Sequence, residues 1–303
     1  MRITHKAVVQ TSLQGLNRNM DAIQRLQQQL TSGKTINKPS DDPAGTNAAI
    51  LTRQELATAT QHARNISDGM GFLDATDSTL QNMIWQVQKV RDLTVKGLNT
   101  GAMGEDSRAA IATEVAGIRE SLLGLANRTV QNRPIFGGIT AGPAAYDVAS
   151  GGYVGSGDGG TPINRQVSDA DVIRIDITGP EVFGVNDPGA TPPTRDLFAI
   201  VGDIAGDVVA DPAALEGHLA ALDEALSRML KGAADIGTRT SRLETAKQVN
   251  ADLQLSLTSR SADIENVDLA KTIMNLQMQQ TGYEAALGAT AKAIQPSLLD
   301  FLR

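Results

Sequence analysis

Both ends of the chain carry a long heptad pattern, and this pattern constrains the fold more than any other feature. Near the N-terminus, residues that are mostly apolar recur at alternating intervals of four and three: Val9, Leu13, Leu16, Met20, Ile23, Gln27 and Leu30. Leu26 widens the apolar face of this row. Near the C-terminus the same spacing connects Leu269, Ile273, Leu276, Gln280, Tyr283, Leu287, Thr290 and Ile294. Such a row lies along one side of a helix and packs against another helix. We therefore predict a helix at each end, and we expect the two to pair with each other.

The polar residues in these rows leave two interpretations open. Two helices of an ordinary bundle would show the same pattern. Alternatively, the helices complete their packing only against neighbouring copies or partners, since Gln27, Gln280 and Thr290 would make an isolated pair only marginally stable.

A polar bend follows the first helix. Gly33 can adopt the left-handed conformation that ends a helix, and Ser40 or Asp41 is a suitable N-cap for the next one. Pro43 suits the first turn of that helix. The predicted bend and capping residues are Gly33, Pro39, Asp41, Asp42 and Pro43.

Long helical segments flank a middle region of different composition. Residues 44–99 are Ala- and Gln-rich, and a heptad row runs from Ile111 to Leu125. Another row runs from Leu215 to Ile236 and continues with a phase shift to Leu257. Residues 136–212 instead contain 14 of the 29 glycines and 7 of the 11 prolines, with eleven acidic and three basic side chains. Residues 1–38 are basic, with six cationic side chains against one anionic. This contrast predicts a domain boundary.

Within the middle region, residues 171–178 give the clearest strand pattern. Ile173, Ile175 and Ile177 alternate onto one face, and shorter candidate strands lie at 145–148 and 163–167. We predict a mainly α fold, in which both chain ends form a long antiparallel helical bundle or coiled coil and a small β-rich domain is inserted. The predicted division is a terminal coiled-coil domain (1–45 and 255–303), a helical rod domain (46–135 and 205–254) and a β-rich outer domain (136–204).

The sequence contains few residues in an arrangement suited to catalysis. The chain has no Cys, which excludes a disulfide scaffold and a cysteine nucleophile, and its three His are far apart in sequence. A Gly-rich run at 155–160 does not open a helix after a strand, so it predicts a loop and not a phosphate site. We expect no catalytic residue, no metal, no cofactor, no nucleic-acid binding and no membrane insertion. The N-terminus also lacks the apolar stretch of a Sec signal peptide.

Five stretches resemble the flagellin superfamily. The bend Leu30-Thr-Ser-Gly-Lys-Thr-Ile-Asn-Lys-Pro-Ser-Asp-Asp-Pro-Ala-Gly45 is similar to the superfamily signature, and its Pro-Ser-Asp-Asp-Pro form resembles the hook-associated branch. Residues 65–80 and 127–138 resemble the long helix and the entry to the variable domain, although Asn-Arg-Pro replaces the usual Gly-Arg-Tyr. Residues 264–271 and 283–302 resemble the C-terminal helix. The resemblance covers about residues 1–138 and 205–303.

This resemblance implies a structural adaptor of the bacterial flagellum that joins the hook to the flagellin filament. The implied partners are hook-associated protein 1, flagellin, further copies of the chain in a junction ring, and an export chaperone at the C-terminal helix. The implied location is extracellular, after type III export. The implied assembly interface comprises Val9, Leu13, Leu16, Met20, Ile23, Leu30, Leu269, Ile273, Leu276, Tyr283, Leu287 and Ile294. A filament-forming flagellin is the alternative.

Overall fold

A computed structural model of the protein describes residues 5–99, 104–140, 142–155, 161–187, 189 and 194–294. Its helices are α1 (His5–Ser32), α2 (Pro43–Gly97), α3 (Glu105–Ala126), α4 (Gly179–Phe183), α5 (Leu197–Ala210), α6 (Leu215–Glu265) and α7 (Leu269–Ile294). The strands are β1 (Thr129–Val130), β2 (Arg133–Pro134), β3 (Asn164–Gln166) and β4 (Val172–Arg174), and a 3-10 turn covers Pro212–Ala214. The two strand pairs, β1–β2 and β3–β4, are both antiparallel.

The predicted fold class is confirmed, because long helices from both chain ends dominate and the sheets are small. The chain forms two compact units. Unit 1 comprises residues 1–58 and 253–303, and unit 2 comprises residues 59–252. The division into three domains stays a prediction. None of the described helices has an apolar stretch long enough to cross a bilayer.

Unit 2 has an aliphatic core with one aromatic cluster. Buried Leu, Ile and Val side chains of α2, α3, α5 and α6 form most of the core. The rings of Phe136, Tyr146, Phe183 and Phe198 meet edge to face or tilted, with centroids 4.7–5.9 Å apart. Five of the nine aromatic residues therefore gather where the insert covers the helices, once Tyr153 at 5.3 Å from Tyr146 is included.

The long helix α2 runs without a break for 55 residues. Gly69 and Gly71 are residues that could interrupt a helix, but both are helical here. Gly69 instead allows close packing, since a Cβ there would lie 3.0 Å from Ile175 of the insert and 3.2 Å from Leu243 of α6. The glycine is thus a contact point between the long helix and its neighbours.

Helix α3 differs from the prediction at both ends. The sequence favours Asp106 or Ser107 as its N-cap and an end near residues 132–134, but Gly104 occupies the N-cap position without a side-chain hydrogen bond. The helix ends at Ala126 and not near Pro134. Asn127 makes the difference, because its Oδ1 accepts hydrogen bonds from Ala145 N and Tyr146 N, both at 2.8 Å. These contacts hold the chain against the insert, and a tight hairpin follows.

The insert is less β-rich than predicted. Residues 172–174 pair with 164–166, and Ile173, Ile175 and Ile177 are all buried on one face, as predicted. The structure also contains helix α5, which was missed within a region assigned mainly to the insert. Its six buried residues lie on one face at helical spacing: Leu197, Phe198, Ile200, Val201, Ile204 and Val208. Asp196 caps it by accepting a hydrogen bond from Ala199 N at 2.8 Å.

Candidate assembly interface

Helices α1 and α7 pack side by side in unit 1 and run antiparallel. Two contacts define their register: Gln279 Nε2 donates to Asn19 Oδ1 at 3.1 Å, and Lys34 pairs with Asn266 in an isolated β-bridge. The side chains that are buried or half-buried along both helices form what we call the inward seam. It comprises Val9, Ser12, Leu16, Asn19, Ile23, Leu26 and Leu30 of α1, and Thr272, Leu276, Gln279, Tyr283, Ala286 and Thr290 of α7. Nearly half of its members are polar.

A second set of large apolar side chains on the same two helices is exposed, and in α7 it covers two directions, because Met274 and Met278 lie about 140–180° around the helix from Leu269. We call it the outward stripe, and its members are 42–69% exposed: Leu13, Met20, Leu269, Ile273, Met274, Met278 and Leu287. Side chains of this kind each release roughly 1.5–3 kcal/mol when they move from full exposure to full burial. An apolar face on this scale is typical of a surface that binds another protein.

The predicted interface residues therefore divide between two faces. Val9, Leu16, Ile23, Leu30, Leu276 and Tyr283 lie in the inward seam. Leu13, Met20, Leu269, Ile273 and Leu287 lie in the outward stripe. The side chain of Ile294 lies outside the part that the structure describes. Five of the twelve predicted residues thus lie outside the contact between α1 and α7. Their role in assembly stays a prediction.

The bend after α1 is built by local hydrogen bonds. Gly33 has φ +69°, as expected for the residue that ends a helix in the left-handed conformation. Pro39 lies in a turn that Asp41 N closes on Lys38 O at 2.9 Å. Asp41 Oδ2 then accepts from the backbone N–H groups of Asn37 and Lys38, at 3.2 and 2.9 Å.

The N-cap of α2 is one residue later than predicted. Asp42 Oδ1 accepts from Gly45 N at 2.9 Å, and Pro43 is the first helical residue. Asp41 and Ser40 were the expected caps, but Asp41 is used inside the turn. Consequently both aspartates are engaged with backbone N–H groups, as helix and turn carboxylates commonly are.

An ion triad joins the bend to the far end of the chain. Glu265, the last residue of α6, has a side chain only 7% exposed. It accepts from Arg53 Nε at 2.7 Å and from Arg53 Nη2 at 2.6 Å. Lys34 Nζ donates to Glu265 Oε2 at 2.8 Å. The Glu265 ion triad thus connects the bend, α2 and α6.

The triad stabilises the ionised form of Glu265. The hydrogen bonds from Arg53, followed by the bond from Lys34, lower the pKa of the Glu265 carboxyl from 4.5 to about 2, although burial acts in the opposite direction. The same contact raises the pKa of the Arg53 guanidinium. Both shifts favour the ionised forms of Glu265 and Arg53 at neutral pH.

Backbone hydrogen bonds reinforce the triad. Thr35 N donates to Glu265 O at 2.7 Å, and Val267 N donates to Gly33 O at 3.0 Å. Asp268 then caps α7 by accepting from Lys271 N at 3.0 Å. The bend 33–42 and the short connection 266–268 are consequently fixed to each other, which sets where α1 and α7 start.

Sequence reasoning missed the residues that hold this interface together. Lys34, Arg53 and Glu265 are ordinary surface types in a helical sequence, and their partners are 212 or 231 positions away. Asn19 and Gln279 sit one position away from the predicted rows. Both residues carry an amide side chain and lie at similar sequence distances from the two bends, and this was the feature that could have indicated their pairing. In the described residues no three His, Cys, Asp or Glu side chains gather into a metal-binding group. The arrangement is suited to packing against protein.

Comparison with known proteins identifies the family of the chain. A model of the bacterial flagellin N-terminal helical region matches residues 3–140, and a model of the bacterial flagellin C-terminal helical region matches residues 219–302. The chain therefore belongs to the flagellin superfamily, and its relatives support a structural role in the bacterial flagellum together with other flagellar components.

The individual relatives are more specific. Flagellar hook-associated protein 3 of Escherichia coli K12 is 28% identical over 95% of this chain and 96% of its own. Flagellin of Bacillus subtilis is 25% identical over the full length of both chains. The solved FlgL of Xanthomonas campestris superposes with a TM-score of 0.61 at 16% identity, over 70% of this chain and 99% of its own. The expected resemblance to the hook-associated branch is confirmed.

Proposed function

We propose that the protein is the adaptor that joins the flagellar hook, through hook-associated protein 1, to the flagellin filament. It assembles by packing its terminal helices and performs no catalysis. Further copies of the chain form the junction with it, and an export chaperone holds α7 before type III secretion. The protein then functions outside the cell.

The observation that carries this proposal is the outward stripe. Seven large apolar side chains of α1 and α7 are exposed while the inward seam buries several polar ones. A helix pair of this kind gains most of its apolar burial from another molecule and not from itself. This supports assembly through the chain ends, and the relatedness to hook-associated protein 3 supports the junction as the place.

The decisive experiment is electron microscopy of the source bacterium after deletion of the gene. We expect hooks without filaments, with flagellin released into the medium, and restoration of filaments by the wild-type gene. Normal filaments in the deletion strain would refute the proposal.

The outward stripe can be tested in the same strain. Complementation with the double variant Met20→Ser and Ile273→Ser should leave hooks bare, because it removes apolar surface that a neighbour would cover. The matched control, Gln14→Ser and Gln277→Ser, changes exposed polar residues of the same helices and should restore filaments. Equal complementation by both variants would contradict assembly through the stripe.

The alternative is a filament-forming flagellin, which the full-length match to the Bacillus subtilis protein favours. Purified chain seeded with filament fragments distinguishes the two. An adaptor should add only a limited layer, whereas long homopolymers would establish the flagellin alternative.

A further inference from the structure

The heptad rows of α1 and α7 are compatible with two rotations of the same antiparallel pair. Both rotations use Leu16, Ile23, Leu276 and Tyr283, and they differ in every second layer. The structure places Ser12, Asn19 and Leu26 of α1 inward, where the register set by Asn19 and Gln279 matches them with Ala286, Gln279 and Thr272. Turning each helix by one position would bring in Leu13, Met20 and Gln27 instead, facing Leu287, Gln280 and Ile273.

Apolar burial alone favours the rotation that the structure does not adopt. The alternative would cover Leu13, Met20, Ile273 and Leu287, all of which are 42–52% exposed. The observed rotation covers Leu26 and Ala286 in the equivalent layers, together with four polar side chains. Something other than hydrophobic contact must therefore select it.

The amide side chains account for the preference for the observed rotation. In the observed rotation Gln279 Nε2 donates to Asn19 Oδ1 at 3.1 Å across the pair, and both side chains are half-buried. Gln27 and Gln280 remain exposed to water. In the alternative rotation Gln27 would be covered by Ile273 and Gln280 by Met20, and neither amide would have a partner. A covered amide without a partner is costly, whereas a matched amide pair is not.

The other polar residues of the seam do not discriminate in this way. Thr290 Oγ1 donates to Ala286 O of its own helix at 2.7 Å, so its hydroxyl is satisfied in any rotation. The Glu265 ion triad fixes the ends of the helices, but Asn19 is 15 residues from Lys34 and is too far along α1 for its rotation to be fixed there. A single polar pair within an apolar seam is a known determinant of helix orientation and register.

We propose that the Asn19–Gln279 hydrogen bond selects the rotation of α1 against α7 and thereby keeps Leu13, Met20, Ile273 and Leu287 on the outside. Asn19 and Gln279 are positioning residues, and they act through the side chains that they keep exposed. The use of those side chains in assembly rests on the proposed function, but the selection of the rotation does not.

The test uses the purified full chain and the oxidation of its methionines by hydrogen peroxide, read by mass spectrometry. Each thioether takes one oxygen atom from peroxide and releases water, and the rate follows exposure. Met20 is 42% exposed and Met278 is 69% exposed, so Met278 serves as an internal reference. In a chain with Asn19→Ala, Gln279→Ala, Gln27→Ala and Gln280→Ala neither rotation covers an unpaired amide, so the helices should turn and cover Met20. Its oxidation relative to Met278 should then slow by about threefold.

Two variants serve as controls. Asn19→Gln with Gln279→Asn keeps an amide pair and should retain the wild-type rate at Met20. Asn17→Ala with Gln277→Ala removes exposed amides from the same helices and should also leave the rate unchanged. An unchanged Met20 rate in the chain with all four alanines would overturn the proposal, as would a slower rate in Gln27→Ala with Gln280→Ala alone, which keeps the Asn19–Gln279 bond. A faster rate would overturn it too, since the amides would then hold α1 folded and not choose its rotation.

A second measurement leaves both amides in place. Because the chain has no cysteine, introduced pairs report proximity without background. Ser12→Cys with Ala286→Cys should form an intramolecular disulfide faster than Leu13→Cys with Leu287→Cys. The reverse order would refute the assigned rotation, and neither readout depends on a hook or a filament.

Discussion

Glu265 accepts two parallel hydrogen bonds from the guanidinium of Arg53, at 2.7 and 2.6 Å, although the two residues are 212 positions apart in sequence. With Lys34 as the third member, the triad connects the two bends from which the terminal helices start. Bidentate pairs of this type combine charge with a fixed geometry. The placement of the candidate interface therefore depends on one carboxylate.

Replacement of Glu265 by Gln should weaken unit 1. The change leaves Arg53 and Lys34 without their anion, and we expect a loss of about 1–2 kcal/mol, because both cations are half exposed and water partly replaces the contact. Hydrogen exchange of the α1 and α7 backbone amides measures the effect. Glu284→Gln, an exposed glutamate of α7, is the matched control and should change little. Equal protection in both variants would rule out the triad as a stabilising contact.

The same variant should change the response to acid. Because the pKa of Glu265 is lowered from 4.5 to about 2 in the folded chain, the stability from the triad is fully present above pH 4.5 and is lost as the pH falls towards 2. The difference in unfolding free energy between wild type and Glu265→Gln should thus be constant from pH 7 to 5 and shrink below 4.5. Circular dichroism of denaturant titrations at each pH measures it. A difference that stayed constant down to pH 2 would contradict the assigned pKa.

Two glycines of unit 1 should respond to alanine with opposite signs. Gly33 has φ +69°, so a side chain there is strained and Gly33→Ala should cost about 1 kcal/mol. Gly15 lies within helix α1, and a Cβ there meets nothing within 4 Å. Gly15→Ala should therefore stabilise the helix by about 0.5–1 kcal/mol. Exchange protection of α1 reports both, and a shared sign would contradict the assigned backbone conformations.

Removal of residues 258–303 should abolish assembly and chaperone binding while the 46–254 body stays folded. The truncation deletes α7, Glu265 and Gln279, whereas the core of residues 59–252 consists of its own side chains. Near-ultraviolet circular dichroism of the cluster around Tyr146 should keep its wild-type signal. A truncated protein that still bound the chaperone and supported filaments would show that α7 is dispensable.

In unit 2, Gly179→Ala should be strongly destabilising. A Cβ at Gly179 would overlap the ring and the hydroxyl of Tyr146, which is fully buried in the aromatic cluster. Overpacking of this kind typically costs about 1–3 kcal/mol. Gly124→Ala, where a Cβ meets nothing within 4 Å on helix α3, is the control and should be neutral or stabilising. Urea denaturation of the two variants provides the comparison, and similar midpoints would refute the predicted clash.

Much of the fold was predictable because helices and bends are encoded locally. The heptad rows located α1 and α7, the long apolar rows located α2 and α6, and the glycine after Ser32 located the end of α1. Helix α5 was missed because it lies in the region that its Gly, Pro and acidic content assigned mainly to the insert, although Leu197, Val201, Ile204 and Val208 are spaced four, three and four residues apart. Trp85 of α2 is 64% exposed, although Ile84 and Val87 beside it in sequence are buried.

The sequence by itself determined that both ends of this chain are helical, that they carry matching apolar rows, and that a capped bend follows the first of them. Only the tertiary structure decided which side of each helix faces the other. A heptad row spans two adjacent rotations, and the choice depends on a partner about 260 residues away, as Asn19 and Gln279 show. Lys34, Arg53 and Glu265 likewise acquire their role only when folding brings the two bends together. Charged residues that are far apart in sequence give no sign that they will form a pair.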